Sequence, residues 1–136
     1  METIKVEIYW SEKNYCCGWG FEGVGVVMCT SKSFEGLKAE FADTLRFHVE
    51  SMVNDGEPVP EWLASGDYKI EFTLAVSALL RQAEQFTTMA AISRVTGINQ
   101  KLLSNYASAV KVPRQAQRDR IVAGLHEIGR QFLSVR

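Results

Sequence analysis

Apolar and polar residues alternate with a period of two from Ile4 to Trp10. Ile4, Val6, Ile8 and Trp10 fall on one side, Lys5, Glu7 and Tyr9 on the other. This is the pattern of a half-buried strand. Ser11-Glu12-Lys13-Asn14 reads as a polar turn. A second strand follows, with Tyr15, Cys17, Trp19 and Phe21 on one face and Cys16, Gly18 and Gly20 on the other. Glu22-Gly23 breaks the pattern before a third strand, Val24 to Cys29, so the three strands predict an antiparallel meander. From Ser33 the period lengthens: Phe34, Leu37, Phe41, Leu45, Val49 and Met52 trace a helical stripe, with Ser33 as its N-cap. Residues 54–60 form a loop containing Pro58 and Pro60, and Tyr68, Ile70 and Phe72 alternate again as a short fourth strand. The order β-β-β-α-β predicts one sheet with a helix on one face, a small α+β layer.

Residues 73–136 read as helices only. Leu74 to Gln85 suits a first helix, and Thr87 or Thr88 a cap for the next. Gly97 separates that helix from one beginning near Asn99, which can serve as its N-cap. Pro113 fits the start of a closing helix that runs to about Val135. Its expected inner side is Ile121, Val122, Leu125, Ile128, Phe132 and Leu133. Two domains are therefore expected, 1–72 and 73–136.

Charge sharpens this division. Residues 1–72 hold six Lys/Arg and thirteen Asp/Glu, a net −7; residues 73–136 hold nine and three, a net +6. A basic half suits phosphates, and an acidic half suits a basic partner. Of all residues 46% are hydrophobic and 23% charged, which argues against wholesale disorder. No apolar run approaches a membrane span, and METIKVEIYW lacks the regions of a signal peptide. Three cysteines without an export signal predict free thiols in a reducing cytoplasm.

The segment FTTMAAISRVTGINQKLLSNYASAVKVP, residues 86–113, has the spacing of a helix-turn-helix. Ile92, Leu103 and Tyr106 are expected in its core, Ser93 at a close helix contact, and Gly97 in the turn. The second helix then exposes Asn99, Gln100, Lys101, Ser104 and Asn105, and Thr88 opens the first. Gln and Asn pair with adenine and Lys with guanine, so these positions are the expected DNA contacts. Lys111, Arg114 and Arg118 are expected on phosphates. An inert helical hairpin would have the same apolar spacing, and the +6 charge favours DNA.

Both halves resemble the HicB family of bacterial antitoxins, in the version with a C-terminal Cro/repressor-type helix-turn-helix. The N-terminal likeness lies in NYCCGWGFEG, VGVVMCT and SFEGLKAEFADTLRFHVESM. It implies a partial ribonuclease-H-like layer. GVGVVMCT departs from that family's proline-and-glycine turn. The C-terminal likeness lies in TGINQKLLSNYASAVKVPRQAQRDRIVAGLHEIGRQFL, with Gly97 at the turn and Pro113 before the closing helix. There the family often has an acidic residue where this chain has Ala107, and a glycine where it has Ala109. Alanine tolerates a left-handed cap poorly. The resemblance implies a type II antitoxin, cytoplasmic and bacterial, that represses its operon and neutralises a small basic HicA-type toxin. A homodimer or higher oligomer on two-fold double-stranded operator DNA is expected. The alternative is a stand-alone regulator whose N-terminal layer dimerises or senses a ligand.

Enzyme chemistry is not expected, nor any cofactor or metal. Cys16 and Cys17 are adjacent on a strand and point to opposite faces; Cys29 and His48 would join them only by coincidence. A nuclease would need converging carboxylates, and Glu7, Glu22 and Glu71 are scattered. Tyr9, Trp10, Trp19 and Trp62 are either anchors for a protein partner or core.

Overall fold

The computed structural model describes residues 1–136, which divide into two compact units, Met1–Ala75 and Val76–Arg136. The N-terminal unit is a four-stranded mixed sheet in the order β3-β2-β1-β4, giving an α+β class. Its strands are β1 (Glu2–Ser11), β2 (Asn14–Phe21), β3 (Gly25–Ser31) and β4 (Tyr68–Leu74). The helix α1 (Phe34–Asn54) and a single turn, α2 (Glu61–Ala64), fall between β3 and β4.

The first three strands form the expected meander. Ser11 pairs with Asn14, leaving Glu12 and Lys13 as a two-residue turn in which Glu12 takes φ +56°. β4 then pairs parallel to β1, from Glu2–Tyr68 to Ile8–Leu74. The expected border at 72 cuts this strand. Alternation continues through exposed Thr73 and half-buried Leu74, and the Ala75 amide donates to the Ile8 carbonyl at 2.8 Å. The first helix of the second half accordingly begins at Val76, not Leu74.

The apolar stripe of α1 buries Leu37, Phe41, Leu45, Val49 and Met52 against Ile4, Val6, Ile8, Cys17, Val27 and Cys29 on one sheet face. Ser33 caps the helix by accepting from the Gly36 amide at 3.0 Å. Burying a side chain of this kind stabilises by about 1.5–3 kcal/mol. His48 lies on the helix flank, 2.6 Å through Nε2 from the Val24 carbonyl, and ties α1 to the β2–β3 turn. Two aromatic clusters close the ends. Trp10 meets Tyr15 edge-on, and Tyr15 meets Phe34; Phe21 joins Trp19 and Trp62, which in turn meets Tyr68.

The C-terminal unit contains α3 (Val76–Ala83), α4 (Met89–Thr96), α5 (Gln100–Ala107) and α6 (Gln115–Leu133). Its core is Val76, Leu80, Ile92, Ile98, Leu103, Tyr106, Ala107 and Ile121. The closing helix differs from expectation at both ends. It starts at Gln115 with Arg114 as N-cap, so Pro113 precedes the cap rather than occupying the first helical position. Its inner side also stops early: Leu125 and Ile128 are half-buried, while Phe132 is 70% and Leu133 84% exposed. Its only buried residues are Ile121 and Gly124, so the apolar stripe outruns the core of the unit.

Candidate nucleic-acid interface

Two eight-residue helices, α4 and α5, are joined by the three residues Gly97, Ile98 and Asn99. Gly97 takes φ +74° as the left-handed C-cap of α4, a conformation that penalises any Cβ. Ile98 is buried and pins the turn to the core. Two hydroxyls lock the same turn. Ser93 Oγ donates to the Ile98 carbonyl at 2.6 Å, and Thr96 Oγ1 donates to the Ile92 carbonyl at 2.7 Å while accepting from the Ile98 amide. Sequence spacing gave Ser93 a steric role only; its hydrogen bond depends on where the carbonyl of Ile98 points after the turn.

Two residues expected to touch DNA have structural work as well. Thr88 caps α4 by accepting from the Ala91 amide at 3.0 Å. Asn99 caps α5, its Oδ1 accepting from the amides of Lys101 at 2.8 Å and Leu102 at 3.4 Å. The Asn99 carboxamide therefore keeps only its NH2 for outside contacts. Gln100, Lys101 and Ser104 are exposed on α5, opposite buried Leu103, Tyr106 and Ala107. Asn105 is half-buried, so it is less available than its neighbours. Lys111 and Arg114 are exposed in the segment joining α5 to α6, and Arg118 is half-buried on α6. None of Lys101, Lys111, Arg114 and Arg118 belongs to an ion pair within the chain.

The end of α5 contains a strained residue. Ala109 takes φ +62°, with its amide donating to the Tyr106 carbonyl and that of Val110 to the Asn105 carbonyl at 2.9 Å. These two bonds make a Schellman motif with alanine at the position that favours glycine. The left-handed cap is thus formed despite the Cβ, because both bonds satisfy carbonyls at the helix end. The Lys111 amide also reaches the Asn105 carbonyl, at 3.3 Å, so the motif fixes the path of the basic segment. Ala109→Gly is expected to stabilise the C-terminal unit by about 1 kcal/mol. A thermal melt that is unchanged or lowered would contradict this. Ala107 is 2% exposed and packed in the core, where a carboxylate would be buried without a partner.

No local pattern singles out Arg120. Its Nη2 donates to the Thr96 carbonyl at 2.8 Å and its Nη1 to Gln117 Oε1. The guanidinium lies at the C-terminal end of α4, where a cation is favoured. Only the packing of α6 across α4 brings it there. Arg81 similarly donates through Nε to the Ala107 carbonyl at 3.2 Å and pairs with Glu84.

The other candidate chemistry does not converge. No group of three or more His, Cys, Asp or Glu is placed to hold a metal ion. Glu71 pairs with Lys69 at 3.4 Å, and Glu22 lies in the β2–β3 turn. All three cysteines are buried and free. Cys17 and Cys29 face each other across β2 and β3, and Cys16 lies on the opposite sheet face. Burial, reinforced by Cys29, Cys16 and Glu40, pushes the Cys17 thiol up to about 12. An unfolded-chain cysteine loses its proton at about pH 8.5. The folded thiol keeps its proton through that interval, so stability is full below about pH 8.5 and falls as pH rises toward 12. Cys17→Ala should flatten that alkaline loss. Urea midpoints of both proteins at neutral and alkaline pH check this, and parallel losses would contradict it.

No helix is long and apolar enough to cross a membrane. In comparisons with known proteins, no family model, no curated protein and no solved structure matches the chain.

Proposed function

We propose that the chain is a HicB-type antitoxin. Its C-terminal unit would bind operator DNA and repress its own operon, and its N-terminal unit would neutralise a small basic HicA-type ribonuclease. One observation carries the DNA part: α5 exposes Gln100, Lys101 and Ser104 opposite its buried face, in a unit of net charge +6. The α4–α5 turn, closed by Gly97 and two hydroxyls, supports a recognition helix held rigidly. Lys101 and Gln100 are the base-reading candidates, with Ser104 and Asn105 beside them. Thr88, Lys111 and Arg114 would position the phosphates, and the Asn99 NH2 would complete the set. The toxin part rests on the −7 charge of residues 1–72, which would steer a basic partner and suppress acidic ones. The compartment this implies is the bacterial cytoplasm.

The test is DNA binding measured against salt, using the region upstream of the gene. Lys111→Ala should weaken binding and flatten the slope of log K against log salt by about one unit. Gln100→Ala should instead relax base preference, by about 1–3 kcal/mol at one position. Failure to bind that DNA at any salt concentration sinks the DNA part. Co-expression with a neighbouring basic reading frame tests the toxin part. Toxicity left intact would reduce the reading to a stand-alone regulator.

A further inference from the structure

The apolar stripe of α6 continues past the core of its own unit. Leu79 and Ala83 on α3 and Leu125 and Ile128 on α6 line a groove of about 320 Å3, with Phe86 and Phe132 beside it. Phe86 is 81%, Phe132 70% and Leu133 84% exposed. Gly129 also lines the groove, and a Cβ built there meets nothing within 4 Å. Glycine is the poorest helix former after proline, so an open interior position on α6 gains nothing from it within the chain. Gly124 differs, because a Cβ there would lie 2.4 Å from Thr96 Cγ2.

We propose that a second copy of this chain occupies the groove, packing around Gly129 with each Phe132 seated against the other copy's apolar lining. Area supports this occupant. With about 150–250 Å2 on each aromatic side chain, the exposed rings, Leu133 and the groove lining hold on the order of 500 Å2 per copy. Two copies together would approach the ~1,000 Å2 at which specific interfaces begin. Charge supports it too. A two-fold contact sets a patch against itself, so a patch of one net sign would repel its own copy. No charged residue lines the groove, and the charged residues that flank its lining in sequence are paired within the chain: Arg130 with Glu127 at 2.6 Å, and Arg81 with Glu84 at 3.5 Å. The unpaired cations Lys101, Lys111 and Arg114 belong to α5 and the segment after it, and none of them lines the groove. An acidic or nucleic-acid occupant would find no free cation among the lining residues.

The inference deepens the operator-binding reading by naming the surface that would pair two DNA-reading helices, but self-association can be measured without DNA. Sedimentation of the full chain is the experiment. The wild type should be dimeric at about 10 µM, the weak end of the affinities that interfaces supply. Phe86→Glu with Phe132→Glu should raise the dissociation constant at least about 100-fold while leaving the far-ultraviolet spectrum intact. If that pair of changes prevents folding, Gly129→Leu carries the test, because it fills the groove from a helix position with free space. Phe47→Glu, an exposed change on α1, should leave the dimer unaltered. A wild type that stays monomeric at about 100 µM overturns the inference, as does a dimer that survives the groove variants. A dimer that binds no DNA leaves the inference standing and removes the operator reading. A monomer that binds DNA does the reverse.

Discussion

Phe41→Ala is expected to unfold the N-terminal unit and to leave the helices of the C-terminal unit intact. Phe41 is 0% exposed at the middle of the α1 stripe, and its ring meets Phe72 of β4 edge-on at 6.0 Å. Truncating a buried phenylalanine costs about 3–5 kcal/mol, combining lost transfer energy with the cavity left behind. A unit of 75 residues has a total stability of roughly 4–11 kcal/mol at the usual value per residue. The loss would therefore consume much or all of it. The chain provides its own reporter, since Trp10, Trp19 and Trp62, the three tryptophans present, all belong to the N-terminal unit. Tryptophan emission should shift to the red, while helical circular dichroism from residues 76–133 persists. A native emission maximum with an unchanged melting temperature would refute the assignment of Phe41 to the core.

Gly124→Ala has the second large effect, in the other unit. Alanine is the better helix former by about 1 kcal/mol, so propensity alone predicts a gain. Packing predicts a loss, because the new methyl would lie 2.4 Å from Thr96 Cγ2. The threonine cannot simply rotate away. Its hydroxyl donates to the Ile92 carbonyl and accepts from the Ile98 amide, so relief of the clash breaks the lock on the α4–α5 turn. Overpacking costs about 1–3 kcal/mol, and each lost hydrogen bond adds about 1 kcal/mol. A net destabilisation of about 2 kcal/mol is expected, which for a small unit lowers the melting temperature by roughly 10 °C. Any DNA binding should weaken with it. Thr96→Ser, which keeps the hydroxyl and removes the methyl, should restore stability to Gly124→Ala. Absence of that rescue would show that the two residues do not meet.

Local pattern carried most of the elements. Ile4, Val6 and Ile8, and Leu37 through Met52, lie where their periods put them, because one face of each element meets the core. Gly97 and Asn99 were legible because a turn and a cap select residue types by backbone chemistry. The remainder depends on contacts distant in sequence. Nothing local announces that β4 pairs parallel with β1, and that pairing extends the strand past residue 72. The single turn α2 follows Pro60 as its N-cap, and the nearby prolines read as loop. Phe132 and Leu133 continue a good apolar period, but period cannot tell whether a partner helix is long enough to cover them. Ala109 shows the converse: two hydrogen bonds hold a conformation that residue type alone disfavours.

The strand order also has a consequence during synthesis. The residues of β1 and their partners in β4 lie 66 positions apart, from Glu2–Tyr68 to Ile8–Leu74. At about 5–20 residues per second, a ribosome needs roughly 3–13 s to make the second after the first. Throughout that interval β1 can pair with β2, but its other edge has no native neighbour. A nascent chain with Val6 and Ile8 on an uncovered strand is exposed to intermolecular pairing. The vulnerable moment for this protein therefore falls on the ribosome, before Tyr68 emerges, and slowing translation between residues 55 and 68 should lower the soluble yield.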